Sequence, residues 1–285
     1  MVLKFGKSYN NKINYPDKIF YIKYGDNFNQ EVNNLPSTLE FLIFHSKFGS
    51  KFNQPIDNLP SSLKLLYLGI EFNNSVDFLP NNLQYLNLGE KFNKSIDNLP
   101  SSIIELTFCY NERFYVNNDK YDYMHLVIKQ ILNLFDNYDK KKKKEKYTDY
   151  NYNLLLNEQH VFNQLINNLP NYLEFLLLPD NYKEKINILP KNIKYIKFGN
   201  NYNKNISFVS NYDKLKLVSI SNKTPYDLQK LLKCKSKKIT IQKNNKVFSK
   251  KIKSIKIFKF SELFKILDFL FNYYISLIFL LNLIL

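Results

Sequence analysis

The chain has no alanine, no tryptophan and a single arginine, Arg113, among its 285 residues. Arginine is the preferred reader of guanine edges and grips phosphates in two-pronged geometry. Its near absence argues against a specific nucleic-acid reader, in spite of a formal net charge of +16. Asn, Lys, Ile, Tyr and Phe are abundant instead. All five have AT-rich codons, so base composition by itself enriches Lys and weakens the charge as a sign of an acidic partner. Cysteine is scarce: Cys109 and Cys234 are far apart and form no C-x-x-C pair. That excludes a small disulfide framework and fits a reducing, intracellular setting. The opening MVLKFGKSYN has no apolar core, so no secretory signal peptide is expected.

Signatures of catalysis are missing as well. His45, His125 and His160 stand alone, without metal-ligand spacing, and there is no G-x-S-x-G, P-loop or G-x-G-x-x-G. Asp57, Asp77 and Asp97 recur at one repeat position. A ladder of equivalents offers one environment, whereas an acid–base pair needs two. They read as turn-stabilising residues. The expectation is a protein without catalysis, cofactor or metal.

What the sequence does have is a phrase restated at a fixed period. Phe52, Phe72 and Phe92 are twenty residues apart and each is followed by Asn; Pro60, Pro80 and Pro100 keep the same interval, each after Leu. The unit reads F-N-x-x-[IV]-x-x-L-P-x-x-L-x-x-L-x-L-G, with clear copies from Phe28, Phe52, Phe72, Phe92 and Phe162. Looser copies start at Tyr9, Tyr182 and Tyr202. The L-x-L end alternates with period two, so Leu66 and Leu68 face one side while Leu65 and Tyr67 face the other. A strand this short buries its face only by stacking on identical neighbours, which predicts a parallel solenoid. Leu-Pro bends the chain, Gly69 and Gly89 release it from the strand, and the recurrent Asn is placed to bond the adjoining coil. The recurrent Phe is expected to form an aromatic spine. Twenty residues leave little room for a helix on the return side.

The motif F-N-x-x-I-x-x-L-P resembles the FNIP repeat, a relative of the leucine-rich repeat, over about residues 9–112 and 162–224. The resemblance implies a non-catalytic scaffold for protein–protein interaction. Many relatives carry an F-box ahead of the repeats, which links a target to a ubiquitin ligase. Here Val2-Leu3-Lys4-Phe5-Gly6 already reads as a repeat strand with its Gly, so no F-box is expected. The fold class expected is a β-rich, leucine-rich-repeat-like solenoid of short parallel strands with about twenty residues per coil. It divides into repeats over 1–112, a helical and Lys-rich insertion over 113–161, and repeats over 162–224. A basic worn repeat or cap follows over 225–259, and an apolar C-terminal helix over 260–285.

The departures from the period carry their own readings. Leu126, Val127, Ile131, Leu134 and Phe135 are spaced as in a helix, and the run Lys140 to Lys146 reads as a solvated loop tip. From Phe269 to Leu285 no residue is charged. Two readings of this tail stand: a membrane anchor with lysines on its cytosolic side, or a cap over the last coil. The strand positions that face away from the core read Tyr21, Phe41, Leu65, Tyr85, Glu105, Phe175 and Tyr195 in one column. A second column reads Lys23, Ile43, Tyr67, Asn87, Thr107, Leu177 and Lys197. Such an aromatic-rich face suits the anchors of a protein interface, and also suits strand packing alone. The partner-binding candidates are Tyr21, Phe41, Leu65, Tyr67, Tyr85, Phe175 and Tyr195. A protein partner is the first expectation, a membrane-tethered structural protein the alternative, and nonspecific polyanion binding through the lysines the third.

Overall fold

A computed structural model describes residues 1–44, 50–108, 161–199, 201–220, 224–225, 240–243 and 246–248. The expected helical insertion, the lysine run, the three histidines, both cysteines and the apolar tail lie outside the described residues, save Val161 at the end of the insertion.

Each repeat contributes one short strand to a single sheet. In chain order they are β1 (Val2–Lys4), β2 (Tyr21–Lys23), β3 (Phe41–Ile43), β4 (Leu65–Tyr67), β5 (Tyr85–Asn87) and β6 (Glu105–Thr107). These are followed by β7 (Phe175–Leu177), β8 (Tyr195–Lys197), β9 (Leu217–Ile220), β10 (Thr240–Lys243) and β11 (Lys246–Phe248). The spatial order is the chain order. All neighbours are parallel except β10 and β11, which form an antiparallel hairpin that the repeat pattern does not announce. The register is set by the inward leucine: Ile22, Leu42, Leu66, Leu86, Leu106, Leu176, Ile196 and Val218 are successive Cα partners. A slip of one residue would turn every one of them outward. Leu106 pairs with Leu176 as if the intervening residues were absent.

The rest of the coil is made from turns. Proline has no N–H to give, but its carbonyl closes the bend, accepting from the N–H of the residue three ahead: Pro60 from Leu63 at 3.1 Å, Pro80 from Leu83 at 3.0 Å, Pro170 from Leu173 at 3.1 Å. After the strand the chain leaves through Gly69 and Gly89. Gly89 has φ +79°, and a Cβ on it would come within 2.1 Å of the Gly69 carbonyl oxygen, so the coils close on each other only without a side chain there. Among the described residues the return side is irregular apart from a 3-10 helix at Ser207–Asn211.

Two ladders join the coils through this irregular side. In the first, the side-chain oxygen of each repeat Asn accepts the backbone N–H one coil later. Asn29 donates to Asn10, Asn53 to Asn29, Asn73 to Asn53, Asn93 to Asn73, and Asn163 to Asn93, all at 2.8–3.1 Å. The last rung is the N–H of Lys183 on Asn163 at 2.7 Å. Asp77 and Asp97 have the structural role read for them: each accepts from a Ser hydroxyl two residues before and from an Asn of the next coil.

The second ladder is aromatic. The rings of Phe28, Phe52, Phe72, Phe92, Phe162, Tyr182 and Tyr202 follow one another at 5.9–6.2 Å, stacked with their planes within 19° of parallel. This is a favourable separation for offset stacks. All seven are fully buried in one continuous core with the inward leucines. Tyr182 and Tyr202 stand where the repeat prefers Phe. The Tyr202 hydroxyl accepts from the Ile186 N–H at 3.4 Å, whereas the Tyr182 hydroxyl is buried without a hydrogen bond. Burial pushes the Tyr182 phenol well above its ordinary pKa.

Phe72→Ala removes a ring stacked on both sides, and should cost about 3–5 kcal/mol in urea unfolding; a near-neutral midpoint would contradict a shared spine. Tyr182→Phe should move the other way, raising the unfolding free energy by about 1 kcal/mol because a buried hydroxyl without a bond is removed. A loss of stability in that variant would show that the hydroxyl is satisfied.

Candidate functional site

The two outward columns are brought onto one face by the register. Tyr21, Phe41, Leu65, Tyr85, Glu105, Phe175 and Tyr195 are consecutive Cα partners, and Tyr67 lies beside them in the second column. All seven candidate residues therefore share the face opposite the core. Their accessibility is uneven. Tyr21, Leu65 and Tyr67 are 0%, 1% and 3% exposed, whereas Phe41, Tyr85, Phe175 and Tyr195 are half-buried. Tyr21, Ile43, Leu65 and Tyr67 form a second hydrophobic cluster, with Val2, Phe20, Phe41 and Tyr85 packed against it. Phe20 precedes β2 and escaped the sequence reading because it lies outside the L-x-L phase.

Across β6 the character of the face changes. Glu105, Thr107 and the neighbouring Asn87 are all buried polar residues. The Asn87 amide donates to the Thr107 hydroxyl at 2.7 Å, and its oxygen accepts from the Gly89 N–H at 3.1 Å. Beyond this polar row, Phe175 and Tyr195 stack at 4.6 Å with their planes 7° apart. The face thus has an apolar region on β2–β5, a polar row, and a stacked aromatic pair on β7–β8. The columns could be read from the sequence; the polar row was in them but was not singled out.

Charges beside the face are largely matched along the coils. Lys64 pairs with Glu40 at 2.9 Å and Lys194 with Glu174 at 2.5 Å, each joining adjacent coils. Tyr195 has its phenol pushed up to about 12, first by burial and then by the negative charge of Glu174. Among the described residues no cluster of His, Cys, Asp and Glu could hold a metal ion, and no helix is long and apolar enough to cross a membrane. Among the described residues the most exposed large apolar side chains, Phe78, Tyr172 and Ile188, sit on turns and loops rather than on the strand face.

This geometry has known counterparts. The FNIP repeat family model matches residues 52–91, 72–111 and 184–210, so the coils over these residues are FNIP repeats. A crystal structure of CroV588, a giant-virus protein described as a novel circular LRR protein, superposes with a TM-score of 0.58 at 26% identity. The match covers 85% of this chain and 30% of CroV588, so the chain spans less than a third of that protein's length. No curated protein matches the chain.

The raised Tyr195 phenol has a consequence at alkaline pH. Below pH 10 the ring is neutral in both folded and unfolded chains and its contribution to stability is complete. Between pH 10 and about 12 the unfolded chain ionises first, so stability falls as pH rises. Tyr195→Phe should flatten this part of the stability–pH curve, read as thermal unfolding midpoints from pH 9 to 12. Parallel curves for the two proteins would contradict a buried Tyr195 phenol.

Proposed function

We propose that these FNIP coils form a non-catalytic scaffold, acting inside the cell, that holds a protein partner against the outward face of the sheet. The observation that carries the reading is the alignment of Phe41, Tyr85, Phe175 and Tyr195 in one column of half-buried aromatic side chains on strands of fixed register. Large rigid rings on an ordered backbone lose little conformational freedom on binding, and such residues dominate the energetics of protein interfaces. The inter-coil bonds supply the rigidity: both ladders continue through β6 and β7 into the second block of repeats. The leucine-rich-repeat likeness supports the reading, because that architecture commonly mediates protein interactions. The buried Tyr21, Leu65 and Tyr67 contribute by shaping and stiffening the face, while the half-buried rings make the contact.

The test is the double variant Tyr85→Asp with Phe175→Asp, compared with the native chain by proximity labelling in the native cell and pull-down of the labelled proteins. The variant should lose the captured set, while its unfolding midpoint moves less than that of Phe72→Ala. An unchanged captured set with the variant folded would reject the outward face as the contact surface.

A further inference from the structure

The return side of the coils changes character after the inserted residues. Val161, Leu165 and Ile188 are 43%, 54% and 60% exposed. At the same repeat positions the coil of Phe92 has Lys91, Ser95 and Asn98. Ser95 and Asn98 serve the polar ladder, donating to Asp97 and Asp77. An apolar side chain can take no such part, so Leu165 and Ile188 give up a rung and gain no burial in exchange. They lie on adjacent coils, whose spine rings are 5.9 Å apart. Phe208, one coil further, holds the same repeat position as Ile188 and is half-buried. Upstream, Phe78 is exposed at this position too, but it stands between Asn58 and Asn98.

Val161 is where the chain re-enters the solenoid, its N–H donating to the Glu90 carbonyl at 3.1 Å. Residues 109–160 are therefore tied to the edge of this apolar patch, and a tether of that kind gives an effective concentration on the order of millimolar. Within them, Tyr121–Asp139 carries Leu126, Val127, Ile131, Leu134 and Phe135 at helical spacing. It also carries Asp122, Asp136 and Asp139 against a single lysine, Lys129. The patch is flanked by the exposed Lys183 and Lys185, so patch and segment match in apolar character and oppose in charge. Residues 140–160, at up to about 3.3 Å each, are long enough to let the segment reach the coils of Tyr182 and Tyr202 and return to Val161. A second copy of the chain would bring the same lysines against these, like charge on like. We propose that Tyr121–Asp139 is the occupant of this patch, held in cis on Val161, Leu165 and Ile188 with its acidic residues toward Lys183 and Lys185. The contact is on the side of the coil away from the strands, so it stands or falls apart from the partner face proposed above.

The test puts the photoreactive residue p-benzoylphenylalanine in place of Leu165 in the full chain and, as a control, in place of Phe78. Isotopically heavy and light protein are mixed before irradiation, and adducts are mapped by mass spectrometry. The Leu165 site should give adducts within one chain, in residues 121–139, at a yield about tenfold above the Phe78 site. Ile131→Asp with Leu134→Asp should bring that yield down to the control level. Adducts that survive this variant would overturn the proposal, because tethering without docking would then account for them. Heavy–light adducts would overturn it in favour of a contact between copies. Adducts in residues 225–285 would overturn it in favour of another occupant, and a yield no higher than at Phe78 would overturn any occupant. A second measurement needs no variant: amide exchange over 121–139 should be slowed in the native chain, and exchange at the free-peptide rate would overturn docking.

Discussion

Each ladder asparagine spends its side-chain oxygen on the backbone N–H of the following coil, at 2.8–3.1 Å from Asn10 through Asn93. The bond sets the separation of the coils on their irregular side, where no β-ladder exists to do it. With that distance held, the buried phenylalanines next to the asparagines fall into a ring stack. The strands β1 to β8 on the other side can then pair over only three residues each. A three-residue strand has little stability by itself, and a repeat of this size cannot close its own core. The architecture therefore depends on contacts between coils far more than on contacts within them. The backbone groups of an irregular return segment would otherwise have to be left to water.

The same dependence shapes the functional face. Because register is common to all the coils, a residue type at one repeat position becomes a column, and a column becomes a surface. Aromatic residues in the first outward position build a platform on the strands themselves. The polar row at β6 interrupts this platform on the last strand before the sequence departs from the repeat. The ion pairs that join adjacent coils, such as Lys64–Glu40, are partly exposed and add little to stability.

Much of this was legible in the sequence because the period exposes equivalence. Comparing Leu66 with Leu86 and Leu176 locates the strand, its direction and its inward face without any propensity argument. The asparagine and phenylalanine ladders followed from the same comparison. Burial on the outward face did not. Tyr21 and Tyr85 have the same phase and the same side chain, yet the first is fully buried and the second half-buried. Phe20, off the L-x-L phase, is among the side chains packed against the cluster that holds Tyr21. The antiparallel turn of β11 was equally hidden, since no repeat equivalent exists from which to infer it. Periodicity describes what coils share, and is silent on what one coil adds.

The junction between β6 and β7 differs from the other asparagine-ladder junctions in the length of chain it closes. Elsewhere a ladder bond closes a loop of about twenty residues; the bond from Asn163 to Asn93 closes one of 70. Loop-closure entropy grows with the logarithm of length, so this junction costs about 1 kcal/mol more to form than its neighbours while offering the same contacts in return. By closure entropy alone this is the costliest junction of the ladder, and the asparagine bond, the ring stack and the strand pairing all have to be made across it for the face to continue from β6 to β7.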